Sequence, residues 1–176
     1  MMKAQFLLVP AVAIVAVAAP AYAKVFLSVE QAQQLMFPGA TFTPQQLTLT
    51  DEQVHAIEKA SGTDVLNHQL QLWKVSTGGW FIADQVVGKH EFIPIAVGLD
   101  DTGAVKSIEI LEYREAFGDG VRNPQWLAQF QGKRNGATLT LTRDIQNISG
   151  ATLSSKHITD GVRRLLATYA VAIAPH

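Results

Sequence analysis

Between residues 69 and 113 the chain is a series of short apolar segments broken by turns, and no other stretch limits the fold so strongly. Residues 69–75 alternate, Thr77-Gly78-Gly79 turns, and residues 80–87 and 91–99 read as further strands. Asp100-Asp101-Thr102-Gly103 is a turn signal leading into an apolar segment at 104–113. Helical signals lie on either side. Ser28-Val29-Glu30-Gln31 and Thr50-Asp51-Glu52-Gln53 have capping-box spacing, and Pro38-Gly39 and Gly62 stop the helices they open. Asn123-Pro124 reads as an N-cap followed by proline at the first helical position, before Trp126, Leu127 and Phe130. Over residues 155–173, Ile158, Val162, Leu165, Leu166, Tyr169 and Ile173 recur at helical spacing. Central strands with helices at both ends predict an α+β single domain rather than a parallel βαβ sheet. The expected form is a mostly antiparallel sheet packed by helices and ending in a long C-terminal amphipathic helix.

Three local features carry finer expectations. Pro94 predicts that its strand is an edge or carries a bulge. The alternation Thr138-Leu139-Thr140-Leu141-Thr142 predicts a last strand. Trp73 and Trp80 flank the Gly78-Gly79 turn and are expected to pair across a hairpin. Trp126 and Phe130, four apart, share a helix face and read as core.

Residues 1–23 combine Lys3, an apolar run and an Ala21-Tyr22-Ala23 end, the pattern of a secretory signal peptide cut before Lys24. An uncleaved anchor is the alternative, but the run is short for a span of about 20 residues and is broken by Pro10 and Pro20. The expectation is a mature domain over 24–176 in a periplasmic or other extracytoplasmic location. Removing 1–23 leaves 13 basic and 15 acidic side chains, a net charge of −2 with no basic run. Nucleic acid and anionic membrane surfaces are poor partners for such a chain. The lack of cysteine excludes disulfides, thiolate metal sites, iron–sulfur clusters and c-type haem attachment. His55, His68, His90, His157 and His176 show no metal-ligand spacing, and no metal site is expected. His90-Glu91 is the most interesting pair, although a solvated turn histidine accounts for it. No G-x-S-x-G or P-loop run is present.

Chemistry concentrates at Ser149-Gly150-Ala151-Thr152-Leu153-Ser154-Ser155, just before the long helix. A helix mouth offers backbone N–H groups and a positive dipole end to a phosphate, and Gly150 and Ala151 leave room beside the Thr152 hydroxyl. Local physics alone allows a plainer reading, an ordinary helix entry where serine and threonine are common caps. Gly39-Ala40-Thr41, between two prolines, and Gly136-Ala137-Thr138, leading into alternation, lack that context. Thr152 is a poor nucleophile without a base or metal, and no sequence neighbour supplies one.

The SGAT-x-S run entering a C-terminal helix resembles the signature of the FMN-binding domain family. The resemblance extends over residues 81–169. Glu112-Tyr113-Arg114-Glu115-Ala116-Phe117-Gly118-Asp119-Gly120 is similar to the family's E-T-P-G-x-G loop, and a Gln129-Phe130-Gln131-Gly132-Lys133 end follows an aromatic helix. Such domains occur in subunits of sodium-pumping NADH:quinone reductases and Rnf complexes, and as small exported proteins, which this chain resembles most. The resemblance implies FMN carried on Thr152 through a phosphoester bond, placed there from FAD by a separate Mg²⁺-dependent flavin transferase. It implies cofactor contacts from Ser149, Gly150, Ala151, Leu153, Ser154 and Ser155, and from Glu115, Phe117 and Gly118 near the isoalloxazine ring. No catalytic residue is expected. Ala116-Phe117 stands where larger relatives have Thr-Pro, and Gln146 stands where the family has an aspartate, with Asp144 two positions earlier. The implied role is an electron carrier between membrane or exported redox proteins. The alternatives are a flavoenzyme reducing a small substrate or metal complex, and a non-redox exported binding module.

Overall fold

The computed structural model describes residues 24–115 and 118–174. The expected signal peptide and the expected contact from Phe117 lie outside the described residues. In chain order the elements are β1 (Lys24–Val25), α1 (Val29–Met36), β2 (Phe42–Thr48), α2 (Asp51–Ser61), β3 (Gln69–Val75), β4 (Trp80–Val87), β5 (Phe92–Leu99), β6 (Val105–Ile110) and β7 (Glu112–Tyr113). A 3₁₀ turn (Asp119–Arg122), α3 (Pro124–Leu127), a second 3₁₀ turn (Ala128–Phe130), α4 (Thr152–Thr168) and a π-helical turn (Tyr169–Ile173) complete the chain.

Strands β2 to β6 form one antiparallel meander in chain order, and β1 pairs with β7 in a separate two-stranded sheet. This is the α+β architecture expected. Period-two alternation sorts the sheet's side chains. Ile82 and Val86 of β4, and Ile93, Ile95, Val97 and Leu99 of β5, join the larger core with α3 and α4. Phe81 and Ala96 face a smaller core with Met36 and Phe37 at the other face. Strand β5 is therefore covered on both sides, which explains its nearly unbroken apolar run. Among the described residues no helix is long and apolar enough to cross a membrane.

The helix caps form as expected. Ser28 with Gln31 and Thr50 with Gln53 make complete capping boxes, and Asn123 accepts from the Gln125 N–H with Pro124 behind it. Trp126 and Phe130 are buried in edge-to-face contact, ring centres 5.2 Å apart. Gly62 ends α2 in the left-handed region, with φ 66°.

Three expectations are corrected, and the expectation from Pro94 is met by its bulge alternative. Strand β5 lies inside the sheet, between β4 and β6, and carries a bulge. Pro94 is tolerated because it falls where the β6 ladder ends. Its carbonyl accepts from the Leu111 N–H, and the Leu111 carbonyl, lacking a donor from proline, takes the N–H groups of Phe26 and Leu27 instead. The bulge in this strand is at Gly98/Leu99. Residues 138–142 are not a strand: Leu139 and Thr142 have φ of 39° and 71°, and the Asp144 carboxylate holds the Thr140 N–H in a tight loop. The segment 104–113 divides into β6 and β7, which belong to different sheets. Trp73 pairs with Phe81, and Trp80 with Lys74, so the two tryptophans point to opposite faces. The Pro44-containing strand β2, which periodicity did not suggest, is an edge, where a missing donor is harmless.

Candidate functional site

Helix α4 sets the position of the 149–155 run, and its packing starts from a glycine. A Cβ at Gly161 would lie far inside contact distance of Val86 Cγ1, so the missing side chain lets the helix axis approach the sheet. Three residues on, Arg164 is 4% exposed and pairs with Asp84 of β4 at 2.7 Å, donating also to the carbonyls of Asp64 and Gln85. Arg163 donates to the carbonyls of Ser61 and Leu139, tying α4 to α2 and to the 138–145 loop.

Thr152 is the first residue of α4 and is exposed. Its Oγ1 accepts from Asn147 Nδ2 at 3.1 Å. A turn closed by the Ala151 N–H on the Ile148 carbonyl, with Gly150 at φ 81°, delivers the chain to the helix. Unlike α1 and α2, α4 has no side-chain cap, and Ala151 occupies the cap position. Ser155 is the first residue whose N–H bonds back, to the Ala151 carbonyl, which leaves the N–H groups of residues 152–154 as the surplus donors of the helix end.

Beside this helix end lies a cavity of about 420 Å³, lined by Lys89, His90, Glu115, Gly150, Ala151, Leu153 and Ser154. Five of these belong to the set expected from sequence. Gly118 abuts it: a Cβ there would meet Tyr113 Oη at 2.5 Å and Ala151 Cβ at 3.2 Å. The Tyr113 hydroxyl and Ser154 Oγ share a buried hydrogen bond of 2.9 Å, fastening β7 to the first turn of α4. Ser155 is fully buried and does not line the cavity, and Ser149 is exposed on the preceding turn.

Glu115 serves the β4–β5 loop. Its Oε1 accepts from the N–H groups of His90 at 2.7 Å and Glu91 at 3.2 Å. Burial pushes this carboxyl up, but the N–H groups of His90, Glu91 and Lys89, with the charge of His90, outweigh it and hold the group below its ordinary value. Lys89 and His90 thereby reach the cavity from some 60 residues away in sequence. Sequence reasoning passed over Lys89 and left His90 as a turn residue, since only the hairpin register carries them to α4. His157 lines a separate cavity with Thr63, Asp64 and Val86, so it brings no base to Thr152. Asp144 is engaged by Thr140, and Gln146 acts through its backbone, accepting from Trp126 Nε1 and donating to Gln129 Oε1. Among the described residues no group of three or more histidine or carboxylate side chains is arranged to hold a metal ion.

No curated protein matches this chain. Residues 88–167 match the family model of the FMN-binding domain, a segment that begins at the β4–β5 loop, ends in α4 and contains every residue lining the cavity. Over that segment the chain is similar to the FMN-binding domain family, which supports a flavin-binding protein.

Proposed function

We propose that FMN is joined covalently to Thr152 through a phosphoester, and that the protein is exported and transfers electrons outside the cytoplasm. One coincidence carries the reading: an exposed secondary hydroxyl stands on an uncapped helix N-terminus at the rim of a largely apolar cavity. The residues present fit FMN. The surplus N–H groups of residues 152–154 and the α4 dipole suit a phosphoester anion. At Gly150 an added Cβ would meet nothing within 4 Å, so the approach to Thr152 is open. The cavity volume lies within the range of about 300–1,000 Å³ usual for cofactor sites.

In this reading Thr152 is the acceptor in a transfer performed by another protein, a Mg²⁺-dependent flavin transferase. Thr152 Oγ bonds the flavin-side phosphorus of FAD, the anhydride bond breaks, AMP leaves, and the hydroxyl proton passes to a base of the transferase. Asn147 holds Oγ by donating to it, which leaves the Thr152 proton turned away from the loop. FMN when bound supplies one- and two-electron redox chemistry. The protein's share is orientation: Tyr113 and Ser154 fix β7 on the helix, and Leu153, 47% exposed, offers an apolar surface at the rim. An open rim supports exchange with protein partners, namely membrane or exported redox proteins, over turnover of an enclosed substrate.

Intact mass of the full chain co-expressed with a flavin transferase tests this, beside a Thr152→Ala control. The expected wild-type mass is the chain from Lys24 plus one FMN less water, with the flavin increment gone in the control. No increment, under conditions where the transferase modifies a known substrate, refutes the covalent reading. A mass that retains residues 1–23 refutes the expected cleavage.

A further inference from the structure

The cavity's basic side chains come from one place. From α4 and the turn before it only Gly150, Ala151, Leu153 and Ser154 line the cavity, all uncharged. Glu115 lines it too, but its Oε1 is engaged by the backbone of the opposite loop. That engagement depends on Gly88, where a Cβ would lie 2.5 Å from Glu115 Oε1 and would also strike the Glu91 carbonyl. With residue 88 bare, the carboxylate closes on the loop backbone and fixes the hairpin tip. Lys89 and His90 remain exposed there and line the cavity. The other charges near the loop are Glu91 and the Arg114–Glu112 pair, joined at 2.7 Å. None of these three residues lines the cavity.

Resting on the reading above, we propose that Lys89 and His90 set the reduction potential of the bound flavin, stabilising the negative charge that its ring gains on reduction. Two electrons from an external reductant and one proton from solvent leave the reduced ring with one extra negative charge. A fixed cation beside it favours that form, and in a partly enclosed site the attraction is screened less than in open water. Glu115 acts as a positioning residue, since its bonds hold the loop that presents both side chains.

The experiment is a spectroelectrochemical titration of the flavinylated full chain at pH 7, with intact mass taken on the same samples. Lys89→Gln, His90→Gln and the double variant are compared with wild type and with Lys59→Gln. Lys59 is exposed in the last turn of α2 and serves as a charge-matched control away from the cavity. Lys89 and His90 are exposed, and their substitution leaves in place the backbone N–H groups that hold Glu115. The expected result is normal flavin content and a lower midpoint in the double variant. The preference for the reduced form should fall at least tenfold, about 30 mV for a two-electron couple, and Lys59→Gln should sit at the wild-type value. Full flavin content with midpoints no different from Lys59→Gln overturns the proposal and leaves the flavin site standing. A wild-type chain without the flavin mass overturns both.

Discussion

Gly161→Ala should destabilise this protein, although alanine is the better helix former. At an exposed helical site the change stabilises by about 1 kcal/mol. Here the new methyl would overlap Val86 Cγ1, with Val86 Cβ at 3.7 Å and Ile95 Cδ1 at 3.9 Å behind it. Val86 and Ile95 are 2% and 1% exposed. Val86 is β-branched and stiff at χ1, on a strand paired on both sides, so neither side chain nor backbone yields cheaply. Overpacking then costs near the top of its usual range, about 3 kcal/mol, and the net loss is about 2 kcal/mol. For a chain of this size that lowers the melting temperature by roughly 4–8 °C. Val86→Ala alone should cost about 2 kcal/mol, from two lost methyls and the residual cavity. In the double variant the alanine methyl occupies the vacated space and the helix gain of about 1 kcal/mol is kept, so the total should be about 1 kcal/mol, a coupling of about 3 kcal/mol. Urea unfolding of the four proteins measures the cycle. A stabilised Gly161→Ala, or additivity within about 0.5 kcal/mol, would refute the claim that this glycine sets the distance from helix to sheet.

Two further outcomes follow from charges described above. Glu115→Gln should lower stability at pH 7. Because the folded-state value is depressed, the carboxylate's contribution is fully present above its unfolded value of about 4.3 and is lost as pH falls through the folded value. Urea midpoints of the two proteins should therefore differ at pH 7 and converge as pH falls below the folded value; a gap that does not narrow on acidification would mean that charge plays no part. Arg164→Met should cost about 3–5 kcal/mol by stranding the Asp84 carboxylate, 15% exposed, against α4. Adding Asp84→Asn should recover much of the loss, and thermal melts that show no recovery would assign the cost to packing alone.

Local chemistry was readable wherever a residue acts on its near neighbours. Ser28, Thr50 and Asn123 cap the helices that their spacing announces, because a cap bonds within three residues. The Asp100–Gly103 turn forms for the same reason, with Asp100 accepting from Thr102 and Ala104. Reading failed where a distant partner decides. The Thr138–Thr142 alternation suits a strand, but the Arg163 guanidinium takes the Leu139 carbonyl and Asp144 takes the Thr140 N–H. Pro94 signalled a strand that carries a bulge, but the N–H groups that compensate for its missing donor belong to the distant N-terminal segment at Phe26 and Leu27. At the candidate site, the residues about Thr152 were legible from a short run. Lys89 and His90 were not, since only tertiary packing shows that the β4–β5 hairpin ends beside α4.

The walls of the cavity come from a hairpin tip, a loop after β7 and a helix that arrives more than thirty residues later. All the strand pairing of the five-stranded meander is complete before that helix begins. A chain cut short in the 131–150 stretch would keep every ladder hydrogen bond of that sheet and still own neither the Thr152 hydroxyl nor the wall opposite Lys89. On the covalent reading proposed above, the yellow colour of a preparation, set against its protein content, would thus gauge the share of chains that extend through α4 and have received the flavin.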